Sequence, residues 1–336
     1  MKKTMMDALN RPLRDLRISV TDRCNFRCGY CMPIDIFGHD HQFLGRDALL
    51  QFEEIDRLVR IFVEHGVKKV RLTGGEPLLR KELEKLIQIL ASISEIDLTL
   101  TTNGSFLADK AERLREAGLQ RITVSLDSLD EQIFAAMNDV KFPIKGVLEG
   151  IEAAKAVGLT PIKINMVVKR GVNDTSILPM ARYFKEQGHI LRFIEYMDVG
   201  MTNRWCLDEV VPAAEILKII DAALPLEPME CSYRGEVAKR WQYKDGSGEI
   251  GVIASVTQPF CGDCSRARLS ADGILYTCLF ASAGHNLRGL LRCGTSDEEI
   301  ASILVSLWEA RTDRYSEIRS LETTDLSKVE MSYIGG

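Results

Sequence analysis

The sequence predicts an α/β fold: a partial (β/α)6 barrel of TIM type, followed by a C-terminal region of hairpins and a helix. Three observations carry this. Short β-branched runs alternate six times with longer amphipathic runs between about residues 14 and 197. One face is polar on strand after strand. Six of the nine cysteines fall in two tight groups, one just past the first strand and one beyond residue 260.

Taken in order, the expected strands are 16–20, 69–73, 97–101, 121–126, 161–168 and 191–196, with helices at 52–65, 81–93, 108–117, 144–157 and 177–187. After Met197 the alternation stops. Residues 198–211 read as a loop, 212–223 as a helix, and 236–243 with 249–256 as a hairpin around Asp245-Gly246. A second hairpin turns at Asp272-Gly273, and a helix at 296–308 precedes a polar tail ending in Gly335-Gly336. The chain divides accordingly into 1–200 and 201–336.

The strand faces say what the sheet encloses. Arg17, Ser19 and Thr21 oppose Leu16, Ile18 and Val20; Arg71 and Thr73 oppose Val70 and Leu72. Thr123, Ser125 and Asp127 alternate with Ile122, Val124 and Leu126, and Lys163 and Asn165 with Ile162 and Ile164. A parallel strand covered by helices on both faces reads as nearly continuous apolar sequence. A polar face instead implies a wet interior holding a polar ligand. A doubly wound open sheet is the alternative that periodicity alone leaves standing.

The 336 residues, 46% hydrophobic, suffice for one large α/β domain and a smaller one. A net charge of −5 argues against bulk nucleic-acid or membrane-surface binding. Lys2 and Lys3 lack an apolar run behind them, and residues 210–226 are broken by Glu215, Lys218 and Asp221, so neither a signal peptide nor a membrane span is expected. The expected setting is cytoplasmic, where clustered reduced thiols point to metal rather than disulfides.

Cys24, Cys28 and Cys31 form C-x3-C-x2-C directly after the first strand, where barrel active sites sit. Three thiolates can hold three irons of a 4Fe–4S cluster and leave the fourth open to a ligand. Cys261, Cys264 and Cys278 form a second group of three. A zinc site is the alternative at both, and at the second it would recruit His285. Arg266 and Arg268 point the same way if their segment is a strand, placing two cations beside those thiols. Thr73-Gly74-Gly75-Glu76-Pro77 ends the second strand, its glycines permitting close backbone approach to a ligand. Cys206, Cys231 and Cys293 read as unliganded thiols.

With Tyr30 before the third cysteine, the first motif resembles the radical S-adenosylmethionine (SAM) superfamily. With the second group added, the chain resembles the GTP 3′,8-cyclases of molybdenum-cofactor biosynthesis, the bacterial MoaA family, from about Arg17 to Gly336. The resemblance rests on 24–33, 68–77, 101–104, 124–127, 192–200, 260–280 and Gly335-Gly336. Gly45 departs from it, standing where the family usually has proline.

The resemblance implies two 4Fe–4S clusters, with SAM on the first and the guanine of GTP at the open iron of the second. Tyr30, Gly75, Ser125 and Met197 would line the SAM pocket. Arg17, Lys69, Arg71, Thr102, Lys163, Arg192, Arg266, Ala267 and Arg268 would contact GTP. Arg17, Arg266 and Arg268 would stand closest to the chemistry, with Gly335 and Gly336 entering the cavity as a catalytic tail. Arg192 and Met197 differ in alternation phase, so a bulge is expected or one assignment fails. The implied reaction moves a hydrogen atom from ribose C3′ to a 5′-deoxyadenosyl radical, the C3′ radical attacks C8, and reduction by one electron with a proton gives 3′,8-cyclo-7,8-dihydro-GTP. Implied partners are a flavodoxin- or ferredoxin-type electron donor and, downstream, cyclic pyranopterin monophosphate synthase; a homodimer is compatible. The competing readings are a radical SAM peptide maturase and a non-catalytic iron–sulfur or zinc protein.

Overall fold

The computed structural model describes residues 4–319 and 327–335. Its centre is six parallel strands paired in chain order: β1 (Asp15–Ser19), β2 (Lys69–Thr73), β3 (Asp97–Thr102), β4 (Arg121–Ser125), β5 (Lys163–Val168) and β6 (Ile190–Glu195). Between them run α1 (Phe52–Glu64), α2 (Leu83–Ala91), α3 (Leu107–Glu116), α4 (Glu131–Asn138), α5 (Ile144–Ala156) and α6 (Ile177–Glu186). Helix α4 was not expected from periodicity. It is short, and Asp130 starts it by accepting from the Gln132 and Ile133 amides.

One strand face builds the core. Leu16, Ile18, Val70, Leu72, Leu98, Leu100, Ile122, Val124, Ile164, Met166, Leu191 and Phe193 are all buried against the helix layer. Helix α1 meets them with Ile55, Leu58, Val59 and Phe62. Each such side chain contributes roughly 1.5–3 kcal/mol on burial, which fixes which face turns outward. The opposite face, polar except for Val167, Ile190 and Ile194 on β5 and β6, encloses a cavity.

The C-terminal strands do not form a sheet of their own. After α7 (Ala213–Asp221) come β7 (Leu226–Pro228), β8 (Lys239–Tyr243), β9 (Glu249–Ile253), β10 (Arg266–Leu269), β11 (Ile274–Tyr276) and β12 (His285–Asn286). Strand β9 pairs parallel with β6, and β10 pairs parallel with β1. Both expected hairpins form, β8–β9 and β10–β11, one on each side of the barrel. The twelve strands run β12-β11-β10-β1-β2-β3-β4-β5-β6-β9-β8-β7, so the barrel is open and both rims are C-terminal sequence. Helices α8 (Leu287–Arg292) and α9 (Asp297–Glu309) follow, the latter opened by a capping box between Ser296 and Glu299. Among the described residues no helix is long and apolar enough to cross a membrane.

Candidate active site

The first cysteine loop leaves β1 and is zipped to the glycine segment that leaves β2. The Val20 amide donates to Thr73 O (2.9 Å), Gly75 to Thr21 O (2.8 Å) and Glu76 to Arg23 O (2.8 Å). A Cβ on Gly75 would stand 2.6 Å from the carbonyl carbon of Arg23 and 2.9 Å from Asp22 O. These glycines are therefore required by the cysteine loop itself, as well as leaving Gly75 on the cavity wall. Glu76 is buried beneath, accepting from Thr102 Oγ1 (2.7 Å) and the Asn103 and Leu78 amides; burial raises its carboxyl to about 7 against those donors. Tyr30 donates to Asp127 (2.9 Å), whose other oxygen accepts from the Val167 amide.

Cys24, Cys28 and Cys31 face a cavity of about 460 Å³, and so do Cys261, Cys264 and Cys278. Burial raises the Cys24 thiol to about 11 and drives Cys28 and Cys31 upward, each further raised by its neighbours' charge. Burial raises Cys278 to about 11 as well. At Cys264 burial acts in the same direction, but Arg266 and Arg311 overrule it and bring the thiol down to about 6. Arg266 Nη2 lies 3.4 Å from Cys264 Sγ. His285 is exposed on β12 and does not line the cavity. Among the described residues no three His, Cys, Asp or Glu side chains are placed to hold a metal ion. In donor chemistry, two sets of three soft thiols on a shared cavity, with no fourth protein ligand among the described residues, suit clusters with one open iron.

Sheet register decides the charge of the cavity. At one level Arg266, Asp15, Lys69 and Asp97 lie side by side across β10, β1, β2 and β3, alternating in sign. Two residues further along, Arg268, Arg17 and Arg71 are neighbours across β10, β1 and β2 with no acid among them. Like charges directly opposite on adjacent strands destabilise a sheet. Burial, then Arg266 and Arg71, lowers Arg17 to about 9; burial and Arg192 lower Arg71 to about 10. Burial, then Arg192 and Arg121, brings Lys163 to about 7, and burial, then Arg71, brings Lys69 to about 8. Arg268 is pushed far below its usual value by burial, Arg17 and Arg266.

Most of these cations lack acidic partners. Lys69 and Arg121 share Asp97, and Arg240 pairs with Glu249. Among the described residues Arg17, Arg71, Lys163, Arg192, Arg266 and Arg268 make no ion pair, although all six line the cavity. Arg71 donates instead to Thr101 (2.7 Å) and Thr123 (3.1 Å), and Arg192 to Thr123 (3.3 Å), with its Nε buried and unpartnered. Gly251 makes room for Arg192, since a Cβ there would lie 2.9 Å from its Cγ.

Tyr30, Ser125, Met197 and Thr102 line the same cavity. No bulge is needed at Arg192: β6 ends at Glu195, so Met197 belongs to the following loop and owes nothing to strand alternation. Ala267 turns away, packing in the apolar core between its two arginine neighbours. Gly335 lies behind two lining residues, its carbonyl accepting from the Arg268 guanidinium and its backbone, at φ +74°, packed against the Thr73 side chain. Gly336 lies outside the described residues. Sequence reading did not single out Asn165 or Thr73 as site residues, although their alternation phase signalled them; both line the cavity. Arg311 and Asp313 line it too, from a coil that carries no local signal.

An open (β/α)6 barrel with a C-x3-C-x2-C loop at the end of its first strand defines the radical SAM class. The radical SAM superfamily model matches residues 18–184, and the Molybdenum Cofactor Synthesis C model matches 189–317. A GTP 3′,8-cyclase of Acidothermus cellulolyticus is 51% identical over 100% of both chains. One of Xanthomonas campestris pv. campestris is 52% identical over 99% of this chain and 97% of its own. The chain belongs to the GTP 3′,8-cyclase family. Streptococcus suis SuiB bound to precursor peptide SuiA shares the fold at a TM-score of 0.63, covering 93% of this chain and 68% of SuiB at 15% identity. The full-length relatives, rather than that likeness, exclude the maturase and non-catalytic readings.

Proposed function

We propose that the cavity cyclises GTP, with Cys24, Cys28 and Cys31 holding the 4Fe–4S cluster that binds SAM and Cys261, Cys264 and Cys278 holding the second beside the nucleotide. One observation carries this assignment: six acid-free cations share a cavity with two three-thiol groups. A triphosphate supplies the missing negative charge. When bound, the first cluster and SAM supply a carbon-centred radical able to take a hydrogen atom from ribose.

Every other step is the work of this chain's residues. Lys69, Arg71, Lys163 and Arg192, on β2, β5 and β6, hold the triphosphate. Arg17, Arg266 and Arg268, on β1 and β10, hold the nucleoside end beside the second thiol group. The Gly75 backbone, with Tyr30, Ser125 and Met197, shapes the SAM side, and Thr102 contacts the nucleotide. Gly335 closes the cavity at Arg268 and keeps water from the reacting carbon atoms. The reaction is the first step of molybdenum-cofactor biosynthesis, in a cytoplasmic setting. A flavodoxin- or ferredoxin-type donor feeds it and cyclic pyranopterin monophosphate synthase consumes its product.

Anaerobic reconstitution followed by GTP, SAM and reductant, with mass analysis of the nucleotide, tests the reading. About eight irons per chain are expected, halved when Cys261, Cys264 and Cys278 are all replaced. Cys24→Ala abolishes SAM cleavage, whereas Cys264→Ala weakens GTP binding and leaves some uncoupled cleavage. Equal loss of GTP binding in both variants would contradict the division.

A further inference from the structure

The second cysteine group is held from behind by a network that includes the N-terminus of the chain. Residues 5–13 fold back on themselves, Asp7 accepting from the Leu9 and Arg11 amides (2.9 Å each) and Met6 bridging Pro12. Asp7 and Arg11 are buried, and so is Arg311 after α9. Arg11 Nε and Arg311 Nη1 converge on Asp7 Oδ2 (2.5 and 3.1 Å). What the two guanidiniums do with their other nitrogens is the informative part.

Arg11 Nη1 donates to the carbonyls of Cys261 (2.8 Å) and Asp313 (2.7 Å). Arg311 donates to the carbonyl of Cys264 (2.8 Å) and, through Nε, to that of Thr277 (3.1 Å), the residue before Cys278. The Thr277 hydroxyl donates to Asp313 (2.7 Å), which also accepts from Arg311. Both segments that carry the second set of thiols are therefore pinned, at Cys261, Cys264 and Thr277, through main-chain oxygens to two arginines sharing one aspartate. A guanidinium suits this because its planar fork fixes the directions of several N–H groups at once. The first set is held differently: its loop is fixed by backbone pairing with the glycine segment, and a single arginine from within the loop, Arg27, donates to the carbonyls of Cys24 (2.8 Å), Phe26 (2.8 Å) and Phe37 (2.6 Å).

We propose that Asp7, Arg11 and Arg311 are positioning residues of the second cluster site, setting the spacing of Cys261, Cys264 and Cys278. The proposal rests on the reading that these cysteines hold a cluster. It makes residues 5–13 part of that site although they lie more than 240 positions from it in sequence. Groups that orient metal ligands in this way typically govern retention of the metal and its spectrum more than the fold.

The test uses the full-length chain with Cys24, Cys28 and Cys31 replaced by alanine, so that only the second site takes up iron. Into this parent go Arg11→Lys and Arg311→Lys, which keep the charge opposite Asp7 but lose the fork, and Asp7→Asn. Measured are the melting temperature before reconstitution, iron release to a chelator, and the midpoint potential and electron paramagnetic resonance spectrum of the reduced cluster. Expected is about 10- to 100-fold faster iron release with an altered spectrum and potential. The lysine variants should still melt near the parent. A lysine variant that folds with parental iron retention, spectrum and potential would overturn the clamp while leaving the cluster reading intact. A parent that binds no iron would overturn the cluster reading, and the clamp with it.

Discussion

Arg17→Met separates a cation kept for a ligand from one kept for the fold. Arg17 sits between Arg268 and Arg71 in register, and burial, then the charges of Arg266 and Arg71, lowers it by about 3.5 from its ordinary value to about 9. At about 1.4 kcal/mol per tenfold, that drop represents about 5 kcal/mol of unfavourable charge. Water in the nucleotide-free cavity screens part of it, leaving about 2–3 kcal/mol. The sign follows from the direction: a depressed cation costs stability at pH 7, where both folded and unfolded forms carry the charge. The cost fades as pH rises above about 9 towards the ordinary guanidinium range, because the folded form loses its proton first. Methionine keeps most of the apolar stem and removes the charge. Without nucleotide the variant should melt about 2–5 °C higher than the parent at pH 7, by scanning calorimetry or fluorimetry. GTP affinity of the anaerobically reconstituted protein should fall by about 2–5 kcal/mol, roughly 30-fold to beyond 1,000-fold, by equilibrium binding. The two signs must be opposite. A lower melting temperature with unchanged affinity would show that Arg17 supports the fold and that the row is not an anion site.

Three further outcomes are expected. Burial holds Lys163 at about 7, so at pH 8 it is largely neutral and takes up a proton when the triphosphate binds. GTP affinity should therefore weaken as pH rises above 7 and Lys163→Arg should flatten the profile, as calorimetry in buffers of different ionisation enthalpy would reveal; no proton uptake would remove Lys163 from the phosphate site. Gly335→Ala meets the Thr73 side chain at positive φ, at a cost of about 1–2 kcal/mol. It should leave iron content unchanged and lower melting only slightly while lowering cyclic product and raising hydrogen exchange across 327–335; normal turnover would make the tail a loose end. Asp198 is buried among Tyr315 (2.6 Å), Arg319 (3.0 Å) and Lys328 (3.0 Å). Asp198→Asn strands those cations at about 3–5 kcal/mol, so C-terminal proteolysis should accelerate ahead of global unfolding, and equal protection would discount the network.

Much of the barrel was legible because its information is local. The period of two placed Arg17, Arg71, Lys163 and Asn165 on one face before any tertiary contact was known, and the cysteine spacing carried the first site whole. Helix α4 escaped because eight residues give too little amphipathic signal, leaving only its Asp130 cap to announce it. The glycines of the β2 turn were expected to make room for a ligand. They also make room for the Thr21–Arg23 backbone, which no reading of one segment could reveal.

The sequence by itself determined the six barrel strands, which face each residue takes, and the membership of both thiol groups, because side-chain periodicity and short spacings are properties of contiguous chain. Tertiary structure alone decided that β9 and β10 complete opposite rims of one sheet and that Arg268 falls in register with Arg17. It also decided that Asp7 and Arg11 reach the second cysteine group. Strand order and register are set by which distant apolar faces can be buried together, and several pairings are compatible with the same local pattern. The acid-free row of arginines exists only once that choice is made, since on separate strands each is an ordinary polar residue.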